Sequence, residues 1–438
     1  MDWESLLSCK RVNSKEQPTD RGRTPFQKDY DRTVFVPSFR RLQRKTQVHP
    51  LPTNDHIHTR LTHSIEVSCV GRSLGTLVGE MLSKEGRLPK EIDPRDIGDL
   101  VQVGCLAHDI GNPPFGHAGE YAVRDWFQSN KKEFLCGIPE KQCNDFLLFE
   151  GNAQGFRFLT RLEYRPHEGG LRLTYASLGT FLKYPWTSDC KNAKRLGKFG
   201  AFYDDRVTLK TVMAGLHIPK DSGGDYCWHR HPLAYLVEAA DDICYALLDL
   251  EDGREMGLLT YAEVKEKFTE MGGKLTRVEE NKYANPRTNL ALLRGGAFQN
   301  LITEVAKAFQ KQERAIMSGK FRGELLEKCA SGTLVMKAKA LGRDKVYTDR
   351  RKTQLELGAY SIIDVLLKSF LIAAFELKER GDTSKVSFKS KKLIDLMENT
   401  LDPRGDRYEL ITRTLDFITG MTDNYATFIA NQLVGIAK

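Results

Sequence analysis

Four side chains, far apart along the chain, have the chemistry to share one divalent cation. His108 and Asp109 are adjacent in Ala107-His108-Asp109-Ile110-Gly111-Asn112. They close an apolar helical pattern just before Asn112-Pro113-Pro114, where proline interrupts the hydrogen-bond ladder. At such a helix end, consecutive residues can both turn toward one centre. His63 lies on the stripe His63, Val67, Val70, Leu74, Leu77 and Met81, whose alternating spacing of four and three marks one helix face. Asp241 shares an apolar helix pattern with Ala234, Val237 and Leu248. A single histidine on an apolar stripe is more often a hydrogen-bonded core residue. Here three helices each place an ionisable group on their driest face, and burying unpaired charge is costly. One ion satisfies them all. Two imidazoles and two carboxylates suit Mn²⁺, Mg²⁺ or Fe²⁺ better than a thiol-seeking metal.

A second pair follows the proline turn. His117 and Glu120 stand three residues apart on a new helix and so face the same way. A histidine held by a glutamate is a reasonable acid/base couple.

The elements that must position these groups are helical. Gly and Pro are sparse in the long periodic segments, and period-two strands are few, so an all-α fold is expected. Helices are predicted from Thr62 to Met81, from Asp93-Pro94 to about Gly111, and from Pro232 to about Gly253. Others cover Asn300 to Met317, Leu355 to Leu377, and Tyr408 to Leu433. Asp93 followed by Pro94 reads as an N-cap and first helical position. Gly71, Gly75 and Gly79 form a ladder that signals close helix packing. Lys191 to Gly224 is basic and glycine-rich, and reads as a loop-rich insertion with a short hairpin. Lys274 to Gly296 and Gly342 to Thr353 read as polar connections. Residues 1–50 are expected to drape over the core, 51–253 to form the central helical domain with its insertion, and 254–438 to add a helical C-terminal region.

The order His63, His108-Asp109, Asp241 resembles the HD superfamily of metal-dependent phosphohydrolases. Longer motifs narrow this. Thr59 to Ser64, His108 to His117, Phe149-Glu150-Gly151-Asn152-Ala153-Gln154-Gly155, Glu238 to Ile243, and Gly420-Met421-Thr422-Asp423-Asn424-Tyr425-Ala426 resemble the deoxyguanosine triphosphate triphosphohydrolases of bacteria. The resemblance runs from about Arg21 to Leu433. It implies an HD-domain helical core and cleavage of a dNTP, dGTP favoured, to the deoxynucleoside and inorganic tripolyphosphate, with Mg²⁺ or Mn²⁺ at the four-residue site. The residues fit that reaction: a metal can polarise an α-phosphoryl oxygen, and the departing 5′-oxygen needs a proton donor. In the resembled family the pair matching His117 and Glu120 supplies it.

Further roles are implied by the same resemblance. Arg60, just before His63, would meet phosphate. Lys183, Tyr184, Lys198 and Tyr245 would contact the triphosphate, lysine being a point charge suited to a flexible anion. Asp249 and Gln47 would hold the sugar, Gln47 at the 3′-hydroxyl, and Val48 would crowd C2′. A ribose 2′-hydroxyl against Val48 would lack partners. Glu356 aligns with a base-contacting position, and an ionised carboxylate can accept both N1–H and the N2 amino group of guanine.

Composition sets the outer bounds. The 438 residues are 40% hydrophobic and 28% charged, ordinary for a globular protein. The net charge of +8 fits an anionic ligand such as a nucleotide without demanding one. Nine cysteines, an odd number with no Cys-x-x-Cys, point to a reduced, cytoplasmic protein. The stretch Ile362 to Phe375 is cut by Asp364 and Lys368 and is short for a bilayer, so no membrane role is expected. No Walker-type loop is present. Two other functions compete: another HD phosphohydrolase acting on a monophosphate or a phosphodiester, and a basic oligomer that holds single-stranded nucleic acid. Members of the resembled family can bind single-stranded DNA and form homo-oligomers, often hexamers.

Overall fold

The computed structural model describes residues 1–14, 22–47, 54, 56–163, 169–275, 285–398 and 400–436. Among them the regular structure is helical, and β pairing is limited to isolated bridges such as Thr46 with Thr59 and Trp186 with Cys227. The fold is all-α.

The helices that matter for the site are α1 (Arg60–Lys84), α2 (Pro94–Ala107), α3 (His117–Ser129), α4 (Gly151–Arg157) and α5 (Ala234–Glu255). The C-terminal half adds α6 (Pro286–Met317), α7 (Gly332–Lys345), α8 (Arg350–Arg380), α9 (Arg407–Thr419) and α10 (Asp423–Leu433). Sequence dictates the boundaries of the first two. Thr59 and Thr62 exchange the reciprocal bonds of a capping box at the start of α1. Asp93 and Asp96 do the same for α2, with Pro94 in its first turn. These pairs satisfy orphan N–H groups that a bare helix start would leave open.

The glycine ladder brings α1 and α2 into backbone contact. A Cβ on Gly75 would stand 2.6 Å from the carbonyl oxygen of Ile97, and one on Gly79 would stand 2.4 Å from that of Pro94. No side chain fits there, so the helices touch along their length. That closeness carries His63 on α1 toward His108 at the end of α2.

The apolar residues gather in two clusters. One packs α1, α2, α5 and α6 with N-terminal residues such as Phe26, Phe39 and Leu42. The other packs α3 with α8, α9 and α10. The elements that carry the candidate residues lie across the two: α1, α2 and α5 belong to the first, and α3 to the second.

Several expectations change. Segment 191–224 is not mainly loop: it holds helices Lys191–Leu196 and Arg206–Gly215. The second buries Leu209, Val212, Met213 and Leu216, a helical spacing masked by the glycines and lysines around it. Helix α6 begins at Pro286, inside the presumed polar connection 274–296, because Asn285 caps it and Pro286 takes its first position. Helix α7 and the start of α8 leave little of the connection expected at 342–353. The long C-terminal pattern is two helices, parted at Gly420 to Thr422. Helix α8 is also longer than its apolar centre suggested. By length and composition alone, Lys352–Arg380 could cross a membrane. In the fold Ile363, Leu366, Leu367, Phe370 and Leu377 are fully buried in the second cluster.

Candidate active site

His63, His108, Asp109 and Asp241 converge. Ligand atoms of His63, His108 and Asp109 lie within 4.8 Å of one another. Nε2 of His63 is 2.9 Å from Oδ1 of Asp241. Nε2 of His108 is 3.6 Å from both Oδ2 of Asp109 and Oδ1 of Asp241. Because α2 ends at His108, Nδ1 of that ring reaches back to the carbonyl of Cys105 at 2.6 Å. Donation there fixes the tautomer and leaves Nε2 as a lone-pair donor facing the acids.

The electrostatics fit a cation. Burial raises the Asp241 carboxyl, but His108 and the hydrogen-bonded His63 outweigh it and hold the group below its ordinary value. Asp109 is likewise lowered, against burial, by Arg60 and His108. The two acids in turn raise His108 against its own burial. Oδ2 of Asp109 is buried and has no well-formed hydrogen bond, although Nη1 of Arg60 is 2.8 Å away. Arg60 takes one side of this oxygen, and its second lone pair remains for another partner. Asn112 donates to the other oxygen. Imidazole nitrogens and carboxylate oxygens gathered in this way suit a divalent metal.

The acid/base couple opens on the same cavity, of about 290 Å³, lined by the four residues above together with His117, Glu120, Lys183 and Lys198 among others. Nδ1 of His117 is 3.0 Å from Oε2 of Glu120. The His117 side chain is 70% exposed and that of Glu120 only 3%, so a buried carboxylate anchors an accessible ring. Glu120 also accepts from the Gly151 N–H at 2.8 Å. Burial pushes Glu120 up, yet His117 and Lys198 bring it down to about 2.

Both candidate phosphate lysines rest on carboxylates. Nζ of Lys183 is 3.2 Å from Glu238. Nζ of Lys198 is 2.8 Å from Glu150 and 3.7 Å from Glu120. Both stay charged, since these acids outweigh burial. The cavity wall holds Arg60, Lys183 and Lys198 against Asp109, Glu120, Glu150, Glu238 and Asp241. Two further cations stand behind this wall, Arg230 at 2.8 Å from Glu238 and Arg124 at 3.3 Å from Glu150.

The remaining expected residues are placed unevenly. Gln47, Tyr184 and Tyr245 line the cavity, and Oε1 of Gln47 is buried without a partner. Val48 lies outside the described residues. Arg60 is buried and committed to Asp109 rather than facing open solvent. Asp249 does not line the cavity, and it accepts from the hydroxyl of Tyr347. Glu356 does not line the cavity. It pairs with Lys352, whose ammonium lies 5.2 Å over the Tyr347 ring. Tyr347 stacks on Tyr245 with centroids 5.9 Å apart and planes 4° from parallel.

Sequence reasoning missed Tyr347, Glu150 and Lys45. Tyr347 is an aromatic in a polar stretch, a weak signal without a fold. Glu150 falls within a quoted motif but shows its role only through Lys198. Lys45 is buried, which lowers it to about 7, and it donates to the carbonyls of Asn112 at 2.5 Å and Thr419 at 2.7 Å.

Comparison with known proteins gives the family of the chain. The HD domain family matches residues 60–140, which span His63, His108, Asp109, His117 and Glu120. A deoxyguanosinetriphosphate triphosphohydrolase-like protein of Pseudomonas aeruginosa (strain LESB58) is 48% identical over 99% of both chains. One from Synechocystis sp. (strain ATCC 27184 / PCC 6803 / Kazusa) is 39% identical over the whole of both. The deoxyguanosinetriphosphate triphosphohydrolase of Serratia proteamaculans (strain 568) is 30% identical over 97% of both. At that identity and coverage, the chain belongs to the deoxyguanosinetriphosphate triphosphohydrolase family of HD-domain phosphohydrolases, and it is a hydrolase.

Proposed function

We propose that this hydrolase cleaves dGTP, and other dNTPs to a lesser extent, into the deoxynucleoside and inorganic tripolyphosphate, using Mg²⁺ or Mn²⁺. The observation that carries the reading is the His117–Glu120 couple opening on the same cavity as the His-Asp cluster and two lysines. His63, His108, Asp109 and Asp241 would hold the ion. When bound, it supplies Lewis-acid stabilisation of charge on the α-phosphoryl group. The chain does the rest. Lys183 and Lys198 exchange their carboxylate partners for triphosphate oxygens. Gln47, with its unpartnered buried Oε1, accepts from the sugar 3′-hydroxyl. Glu120 steadies Nδ1 of His117, so the other ring nitrogen can carry a proton. Water adds to the α-phosphorus, the bond to O5′ breaks, His117 protonates the departing oxygen, and the proton lost by the attacking water passes through solvent to restore His117. The nucleoside leaves with a free 5′-hydroxyl, and the water oxygen stays in the tripolyphosphate.

Glu356 is the proposed reader of guanine, which requires that it exchange Lys352 for the base. A cytoplasmic setting fits nine unbridged cysteines, and a homo-oligomer that also binds single-stranded DNA fits the family and the basic charge. The test is product analysis. The protein is incubated with each dNTP and Mg²⁺ or Mn²⁺, and the products are separated by ion exchange. Tripolyphosphate with deoxynucleoside supports the reading; pyrophosphate with monophosphate sinks it.

A further inference from the structure

Asp423 opens helix α10, more than three hundred residues beyond the site's first ligands in sequence, yet its carboxylate reaches two separate parts of the site. Oδ1 accepts from the backbone N–H of Phe115 at 2.9 Å. Oδ2 accepts from the backbone N–H of Thr46 at 2.9 Å and from the Thr46 hydroxyl. The residue is 1% exposed, so these bonds are shielded from competing water.

Each anchored residue precedes a candidate substrate contact. Phe115 and Gly116 both have positive φ, 64° and 57°, and together they turn the chain from the proline break into α3, whose first residue is His117. A non-glycine residue rarely holds that conformation unaided. On its other side the turn meets the guanidinium of Arg60, since a Cβ on Gly116 would stand 2.5 Å from Nη2. Thr46 precedes Gln47, and its backbone also pairs with Thr59, the cap of the His63 helix. Lys45 ties the same segment to the carbonyls of Asn112 and Thr419. One carboxylate therefore joins the segment that presents Gln47 to the turn that presents His117.

We propose that Asp423 is a positioning residue for the leaving-group end of the site. Its two oxygens set the distance between His117, the donor to O5′, and Gln47, the holder of the 3′-hydroxyl of the same sugar. This rests on the triphosphohydrolase reading. It extends that reading to a residue that touches neither substrate nor metal. A general acid works only within hydrogen-bond reach of the atom it protonates, and a displacement of ~1 Å can cost about a hundredfold.

The test compares Asp423→Asn, His117→Ala and the double variant on dGTP and on its analogue with sulfur in place of O5′. Asparagine keeps one acceptor but turns an NH₂ toward N–H donors, so one anchor is lost. With dGTP, kcat should fall about a hundredfold with metal content unchanged. On the sulfur analogue, whose thiolate departs without a proton, the deficit should shrink to about threefold or less, as it should for His117→Ala. The double variant should be little slower than His117→Ala alone. Equal deficits on both substrates, independent effects in the double variant, or an unchanged kcat would overturn the proposal. Should Asp423→Asn fail to fold, Asp423→Ser keeps an acceptor in less space; failure of both to fold would assign Asp423 to the fold alone and overturn the proposal. Wild type that releases tripolyphosphate while these patterns fail overturns this inference only. Wild type that releases none defeats the triphosphohydrolase reading, and the inference with it.

Discussion

Gly71 faces Cys105 across the α1–α2 contact, and Cys105 carries the carbonyl that holds His108. A methyl group on Gly71 would stand 2.4 Å from Sγ of Cys105 and 3.1 Å from Cγ1 of Val101. Cys105 has no exposed surface, so relief requires either a thiol forced into packed space or a shift of α2. Overpacking of this kind costs ~1–3 kcal/mol. Alanine regains about 1 kcal/mol of helix propensity over glycine. Gly71→Ala should therefore destabilise by about 0–2 kcal/mol. Cys105→Ala alone leaves a small void worth about 1 kcal/mol. In the double variant the nearest remaining contact is Val101 at 3.1 Å, and most of the strain disappears. The two substitutions should thus couple by about 1–3 kcal/mol in a double-mutant cycle measured by urea unfolding. The site should register the same movement. Disturbing the group that orients a metal-binding histidine typically costs tenfold or more in metal affinity, so Gly71→Ala should weaken Mn²⁺ binding by about tenfold in a calorimetric titration. The double variant should restore it. Additivity within about 0.5 kcal/mol, with unchanged Mn²⁺ affinity in Gly71→Ala, would refute the packing argument.

Asp109→Ala should lose both bound metal and turnover, read by elemental analysis and product release; a variant with stoichiometric metal and full activity would remove this ligand set. Asp249 offers a pH test. Burial holds its carboxyl up at about 8, against an ordinary 3.8, although the Tyr347 hydroxyl pulls the other way. The native state keeps a proton that the unfolded chain has released, so this contribution to stability is full below 3.8 and lost as pH rises toward about 8. Asp249→Asn should flatten the decline and raise the melting temperature at pH 8 relative to wild type; an unchanged slope would count against a neutral Asp249. Glu356→Gln should level kcat/KM across the four dNTPs by about tenfold to a hundredfold while metal binding persists. If wild type has no dGTP preference, or the variant keeps one, another group reads the base.

The His-Asp cluster was legible in the sequence because its signal is local. His63 and Asp241 interrupt apolar stripes, and His108-Asp109 precedes two prolines. Each is a polar group where burial would otherwise be unfavourable, a conflict visible without coordinates. The helix start at Asp93 was legible for the same reason: a cap acts over three or four residues. The Thr59 cap, three residues before the expected start at Thr62, was not. The glycine ladder announced close packing, though not its partner.

Tertiary structure decided what depends on two distant segments meeting. Lysine and glutamate read alike whether solvated or buried, so nothing local in sequence pairs Lys198 with Glu150 and Glu120, or turns Arg60 onto Asp109. The short helix Arg206–Gly215 is stabilised by what it packs against rather than by its own propensity, and a basic, glycine-rich setting conceals it. Tyr347 backs the cavity-lining Tyr245 because α5 places Tyr245 and Asp249 opposite it. Asp423 holds Thr46 and Phe115 together across most of the chain. A pattern of residue types carries the chemistry each side chain can do. Which charge meets which is set by long-range packing, since hydrophobic burial drives it without specifying partners.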